Sequence, residues 1–86
     1  MYYVYILECA DGTLYTGIAT DLKRRLEEHN SSDKGAKYTR SRRPVRLVYN
    51  EMFPDRSSAS KREYAIKKKM NRQEKLKLIE KYGIVT

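Results

Sequence analysis

Five side chains in this 86-residue sequence combine type and spacing suited to handling phosphate and protons. Tyr5 closes the run Tyr3-Val4-Tyr5, Tyr15 opens Tyr15-Thr16-Gly17, and Arg25 and His29 follow about one helical turn apart. A guanidinium clamps phosphate oxygens in a fork, and an imidazole takes up or passes on a proton near neutral pH. A phenol, with an ordinary pKa of about 10, does so only with help from its neighbours. The fifth group is Glu63. Ala59, Ile66 and Met70 share one face of the helix expected there, and Glu63 falls inside the same stripe. A carboxylate on an apolar face is costly unless it is paired, hydrogen-bonded or bound to a metal. The bland alternative is a Glu63–Lys67 pair at i, i+4 on a solvated face.

Each group also has an ordinary reading. Leu22 and Leu26 define the buried stripe of the first helix, which puts His29 at its edge and Arg25 further round the same side. Arg25 could serve as a plain ion pair or a snorkelling side chain, and His29 as a partner for the last helix carbonyls. Arg24 points away and is either solvated or in contact with a polyanion. Tyr3, Tyr38, Tyr49, Tyr64 and Tyr82 read as half-buried packing residues. Tyr38 and the Arg40–Arg43 cluster have the chemistry to meet a phosphate or a base, although basic loops are usually just solvated.

The elements that must position these groups follow from pattern. Residues 2–8 and 13–18 read as strands. A two-residue Asp11-Gly12 turn would pair Glu8 with Tyr15 and send Tyr5 and Tyr15 to opposite faces. A three-residue loop, Ala10-Asp11-Gly12, sets Tyr5 across from Gly17, on the same face as Tyr15, with Gly12 in the left-handed position. The chemistry selects the longer loop, because only it gathers two phenols and leaves a side-chain-free gap at Gly17 for a ligand. A helix is expected from Asp21 to about Asn30, with Thr20 as N-cap and Asn30-Ser31-Ser32 ending it. Residues 31–44 form a loop with one helical turn around 36–41, and Val45–Phe53 a third strand. A second helix runs from Ser57-Ser58 to about Met70. A third spans Arg72–Lys81, with Leu76 and Ile79 inward and Gly83 as a stop. The order ββαβαα describes an α+β fold with helices on a small antiparallel sheet.

Apolar residues make up 40% and charged residues 35%, which fits one folded domain over residues 1–86 better than disorder. The one cysteine, Cys9, has no partner for a disulfide or a metal site, and a cytoplasmic setting is expected. No leader and no apolar run long enough to span a bilayer is apparent. The net charge of +8 calls for a polyanion. Cations recur at Lys23–Arg25, Arg40–Arg46 and Lys67–Lys69 without a strongly apolar face beside them, which favours nucleic acid over a membrane.

With these residues in place, the chain resembles the GIY-YIG nuclease superfamily, in particular its small stand-alone bacterial members. Tyr3-Val4-Tyr5 and Tyr15-Thr16-Gly17 stand at the two signatures, Arg25 and His29 follow at the family spacing, and Glu63 sits in a later helix. The resemblance covers nearly the whole chain and implies a three-stranded antiparallel sheet flanked by helices, with metal-dependent cleavage of DNA phosphodiesters, in repair or recombination. On that reading Glu63 holds one Mg²⁺ or Mn²⁺, Arg25 clamps non-bridging oxygens, Tyr5 activates water, His29 relays the proton, and Tyr15 completes the water site. Gly17, Arg24 and Lys67 are expected to bind substrate. Many members use an asparagine after the glutamate helix, and Asn71 stands too close to Glu63 for that role. Larger members carry separate DNA-binding domains, so a larger protein partner would supply specificity here. The alternative reading is a basic nucleic-acid-binding module with weak or lost cleavage.

Overall fold

The computed structural model describes residues 1–31 and 33–83. Its elements are β1 (Tyr2–Glu8), β2 (Leu14–Ala19), α1 (Leu22–Ser31), α2 (Lys37–Arg40), β3 (Arg46–Phe53), α3 (Arg56–Tyr64), a π-helical turn (Ala65–Lys69) and α4 (Arg72–Tyr82). The three strands form an antiparallel sheet in the order β2-β1-β3. This is the expected α+β arrangement of ββαβαα elements.

The hairpin takes the three-residue loop. Tyr5 pairs with Gly17 and Leu7 with Tyr15. The Cys9 N–H donates to the Thr13 carbonyl at 2.8 Å, and Gly12 has φ +83°, a value that L side chains rarely adopt. Alternation then sends Tyr5, Leu7 and Cys9 to one face, where Leu22 and Leu26 of α1 pack against them. Val4 and Ile6 go to the other face, against Ala59 of α3, Ile66 of the π-helical turn, and Leu78 and Ile79 of α4. On β3 the register shifts between the partners of Ile6 and Leu7, so the extra residue Val48 joins Tyr49 in that second cluster.

Several helix ends differ from expectation. Asp21, not Thr20, caps α1, because its Oδ1 accepts from the Arg24 N–H at 3.1 Å. Ser32, read as part of that helix end, lies outside the described residues. The second helix begins after Asp55, whose side chain accepts from the Ser58 N–H at 2.7 Å. It does not run on to Met70 as an α-helix, since residues 65–69 widen into a π-helical turn. Asn71 and Glu74 form a reciprocal capping box at the start of α4. In α4 it is Leu78, beside Ile79, that packs on the core, while Leu76 is half-buried. Gly83 stands at the helix end, as expected. No helix among the described residues is long and apolar enough to cross a membrane.

Candidate active site

The centre of the site is a buried chain of hydrogen bonds under α1. Tyr5 is 2% exposed and His29 is fully buried at 0%, well inside the stripe edge that helical phase alone suggests. The reason is α2, which covers the open side of α1. Its Thr39, also fully buried, lies with Oγ1 2.8 Å from His29 Nδ1, and the Thr39 hydroxyl donates to the Ala36 carbonyl at 2.9 Å. The Ala36 N–H also approaches Nδ1, but at 3.4 Å it is longer than a good hydrogen bond; with the Thr39 proton committed, Thr39 Oγ1 accepts from Nδ1–H. His29 Nε2 is then the bare nitrogen, and it accepts from the Tyr5 hydroxyl at 2.9 Å.

Burial dominates the acid–base character of both groups. It pushes the Tyr5 phenol up to about 12, against the pull of the Arg25 guanidinium; Tyr15 and the Glu63 charge push it further up. Burial also lowers His29 to about 4, helped by the charges of Arg25 and Arg43 and opposed by Glu28. At neutral pH the pair is therefore an un-ionised phenol donating to a neutral imidazole. The space above Gly17 belongs to this phenol. A Cβ there would come within 2.5 Å of the Tyr5 hydroxyl oxygen, so the expected open gap for a ligand at Gly17 is instead filled by Tyr5 itself.

Tyr15 lies beside the pair, its ring 6.5 Å from that of Tyr5 and 5.3 Å, edge-on, from the imidazole. It is half-buried and closer to solvent than Tyr5. Arg25 shares the lining of a small apolar pocket with Tyr5, and its Nη1 donates to Glu28 Oε1 at 3.0 Å and to the Lys34 carbonyl at 2.7 Å. A guanidinium has five N–H donors; Nη1 serves Glu28 and Lys34, the Tyr5 phenol draws on another N–H, and the rest remain for an anion. Arg24 is exposed, with an ion pair to Glu28 at 3.4 Å, yet it lines the same open groove as Arg25, about 230 Å³ in volume, at the start of α1.

Glu63 is half-buried on α3, as its place in the Ala59–Ile66 stripe requires. No ion pair between Glu63 and Lys67 forms, nor does any other described residue pair with this carboxylate. Its neighbour Arg62 is engaged instead with Glu51 at 2.8 Å, which also accepts from the Tyr49 hydroxyl. Lys67 reaches over β2 to place its Nζ 5.8 Å from the Tyr15 ring centre. No three His, Cys, Asp or Glu side chains gather as a metal cage among the described residues. One unpaired carboxylate suits a hard divalent cation that keeps most of its water and takes further oxygens from substrate, as Mg²⁺ does.

Two neighbours of the site stand outside the five residues singled out in the sequence. Thr39 sits in a polar loop with no pattern to single it out. Tyr38 read as packing, but it is 39% exposed, stacks at 26° and 5.9 Å on Tyr15, and carries the Arg42 guanidinium 3.9 Å from its ring centre. Its place in a Tyr-rich chain beside Arg40–Arg43 was the only signal.

A small antiparallel sheet whose first two strands bring two phenols beside one buried histidine, with an arginine next to them, forms the core of the candidate site. The GIY-YIG catalytic domain family matches residues 1–77, and the chain belongs to that family. Among curated proteins it is 73% identical over 66 residues to a UPF0213 protein of Desulfotalea psychrophila, spanning 77% of this chain but 60% of that relative. It is 58% identical to one of Staphylococcus saprophyticus, spanning 91% and 93% of the two chains. The solution NMR structure of a UPF0213 protein from Bacillus halodurans superposes with a TM-score of 0.62 at 49% identity, covering 96% of this chain and 87% of that one.

Proposed function

We propose that this protein is a cytoplasmic, divalent-metal-dependent DNA endonuclease acting in repair or recombination. The observation that carries the reading is the buried Tyr5–His29–Thr39 chain beside Arg25. Three polar groups are drawn into the interior and wired in one direction, so that Nε2 is left bare behind a phenol. Packing alone has no use for that polarity.

In the proposed reaction a water enters on the Tyr15 side, where the phenol is nearer solvent. As its oxygen attacks phosphorus, Tyr5 takes the water proton and passes its own to His29 Nε2, while the P–O bond opposite the attacking water breaks and the departing oxygen takes a proton from bulk water. Thr39 holds the imidazole in the tautomer that can accept it. The free N–H groups of Arg25 bind the non-bridging oxygens, where charge builds up. Arg24 and Lys67 extend the contact to neighbouring phosphates. Glu63 would hold one Mg²⁺ or Mn²⁺, whose charge supplies further neutralisation of the phosphoryl oxygens. On this reading a larger protein partner supplies target choice.

The distance between about 12 for Tyr5 and about 4 for His29 keeps the resting pair neutral, and this favours a second reading, a binding module that has lost turnover. One experiment separates them. Supercoiled, linear, single-stranded and branched DNA are incubated with the protein in Mg²⁺ or Mn²⁺. Nicking is expected, and it should disappear with EDTA and in Glu63→Ala and Arg25→Ala. Salt-dependent binding with no cleavage of any substrate would favour the binding module. Cleavage that survives both substitutions would overturn the assignment of the site.

A further inference from the structure

A groove runs along the edge strand β2, outside the buried chain of hydrogen bonds, and its lining is of mixed character. Next to the site it is about 240 Å³ in volume, bounded by Leu14, Tyr15, Thr16, Tyr38, Lys67 and Lys75. It continues into a second hollow of about 220 Å³ that shares Leu14, Tyr38 and Lys75 and adds Arg72. Because β2 is an edge strand, the groove meets side chains from both faces of the sheet.

Three features suit it to a nucleobase. First, the Tyr38 ring is both exposed and held. Arg42 lies over it while donating to the Tyr38 carbonyl at 2.8 Å and to Asp11 at 3.0 Å, and Tyr15 stacks against it. A ring fixed in this way, 39% exposed, loses little freedom when a base packs against the part that Arg42 and Tyr15 leave open. Second, the cations around the groove are not spent within the protein. Arg24, Arg25, Arg42, Arg46 and Arg62 all pair with carboxylates, whereas Lys67, Lys75 and Arg72 pair with none among the described residues. An apolar wall between unneutralised cations matches a nucleotide, with its flat base and its charged phosphate. Third, Thr16 Oγ1, only 3% exposed as a residue, is the one buried side-chain polar atom among the described residues without a hydrogen-bond partner. It belongs to this lining but is closed to solvent, so the polar edge of a base satisfies it only as the wall of the groove opens.

We infer that this groove is a base-binding subsite, in which Tyr38 and Thr16 receive an unstacked nucleobase of a nucleotide flanking the scissile phosphate. The inference rests on the nuclease reading only for the identity of that phosphate. Binding is therefore measured in EDTA, where cleavage plays no part.

The probes are an oligothymidine and an abasic strand of the same length and phosphate count, followed by fluorescence anisotropy over a series of salt concentrations. Wild-type protein is expected to bind the oligothymidine about tenfold more tightly than the abasic strand, the scale of one stacked base. Tyr38→Ala should remove most of that preference without altering the slope against salt, because the slope counts phosphates. Tyr38→Phe should keep it, and Thr16→Val should reduce it a few-fold. Tyr38→Leu repeats the test with the wall still filled, should the alanine variant fold poorly. Equal binding of the two strands by wild type, or an equal loss on both strands in the Tyr38 variants, would overturn the subsite. That failure stays distinct from failure of the nuclease reading, which the nicking assay reports alone.

Discussion

Acidification should unfold this protein through His29 before its carboxylates matter. The imidazole is fully buried among Tyr5, Thr39 and α1, and the charges of Arg25 and Arg43 act against its protonation while Glu28 favours it. Its pKa falls from an ordinary 6.5 to about 4 in the folded chain. The unfolded chain therefore takes up the proton first, and stability is lost as pH drops from about 6.5 toward 4. A gap of about 2.5 pH units, at about 1.4 kcal/mol each, comes to roughly 3–4 kcal/mol. That is a large share of the roughly 5–15 kcal/mol that holds small proteins folded. Asp11, Glu28 and Asp55 also have lowered pKa values, so their contributions are lost at still lower pH. Urea unfolding at a series of pH values, for wild type and His29→Gln, isolates the histidine by difference. The wild-type curve should fall toward that of the variant between pH 6.5 and 4. Two curves that stay parallel to within about 0.5 kcal/mol would refute the reasoning, because one group at this depth must contribute more than that.

Two further outcomes follow from the same packing. Gly17→Ala puts a methyl 2.5 Å from the Tyr5 hydroxyl oxygen, so it should cost about 1–3 kcal/mol and break the Tyr5–His29 bond, read by thermal unfolding and by the imidazole chemical shifts. Thr39→Val removes the acceptor for His29 Nδ1–H. It should destabilise by about 1–3 kcal/mol and move the pH profile of nicking, with Thr39→Ser restoring both.

The hairpin was legible because its two possible loops predict opposite faces for Tyr15, and only the longer one gathers both phenols, Gly12 being suited to either. Gly12 at φ +83° and the Tyr5–Gly17 pair follow from that choice. The layers on either face were less legible. Helical phase ranked Arg25 above Arg24 as the residue able to reach the sheet, but it could not foresee α2 closing over His29. That cover comes from Thr39, ten residues away in a loop whose polar composition gives no period. The continuous helix expected to Met70 fails for a similar reason. Nothing in Ala65–Lys69 opposes an α-helix, and the wider turn there keeps Ile66 buried in the core while the lysines after it stay outside. The gap read at Gly17 shows the limit of inference from one strand. A missing side chain makes room, but which neighbour takes the room is decided by the partner strand.

The arrangement also sets stability against chemistry. A chain of this length has little interior to spare, and it buries a phenol, an imidazole and a hydroxyl where leucines would pack without desolvation cost. The loss is limited because each polar atom is satisfied in series, Tyr5 to His29, His29 to Thr39, Thr39 to Ala36. A series has a direction, and the direction fixes which end can accept a proton. Had the Thr39 hydroxyl donated to Nδ1 instead, Nε2 would carry the proton and the Tyr5 phenol would have no acceptor there. The backbone carbonyl of Ala36, placed by one short helix, thus determines the state of a histidine two hydrogen bonds away. Local folding of residues 36–40 and the acid–base behaviour of Tyr5 are for that reason one problem.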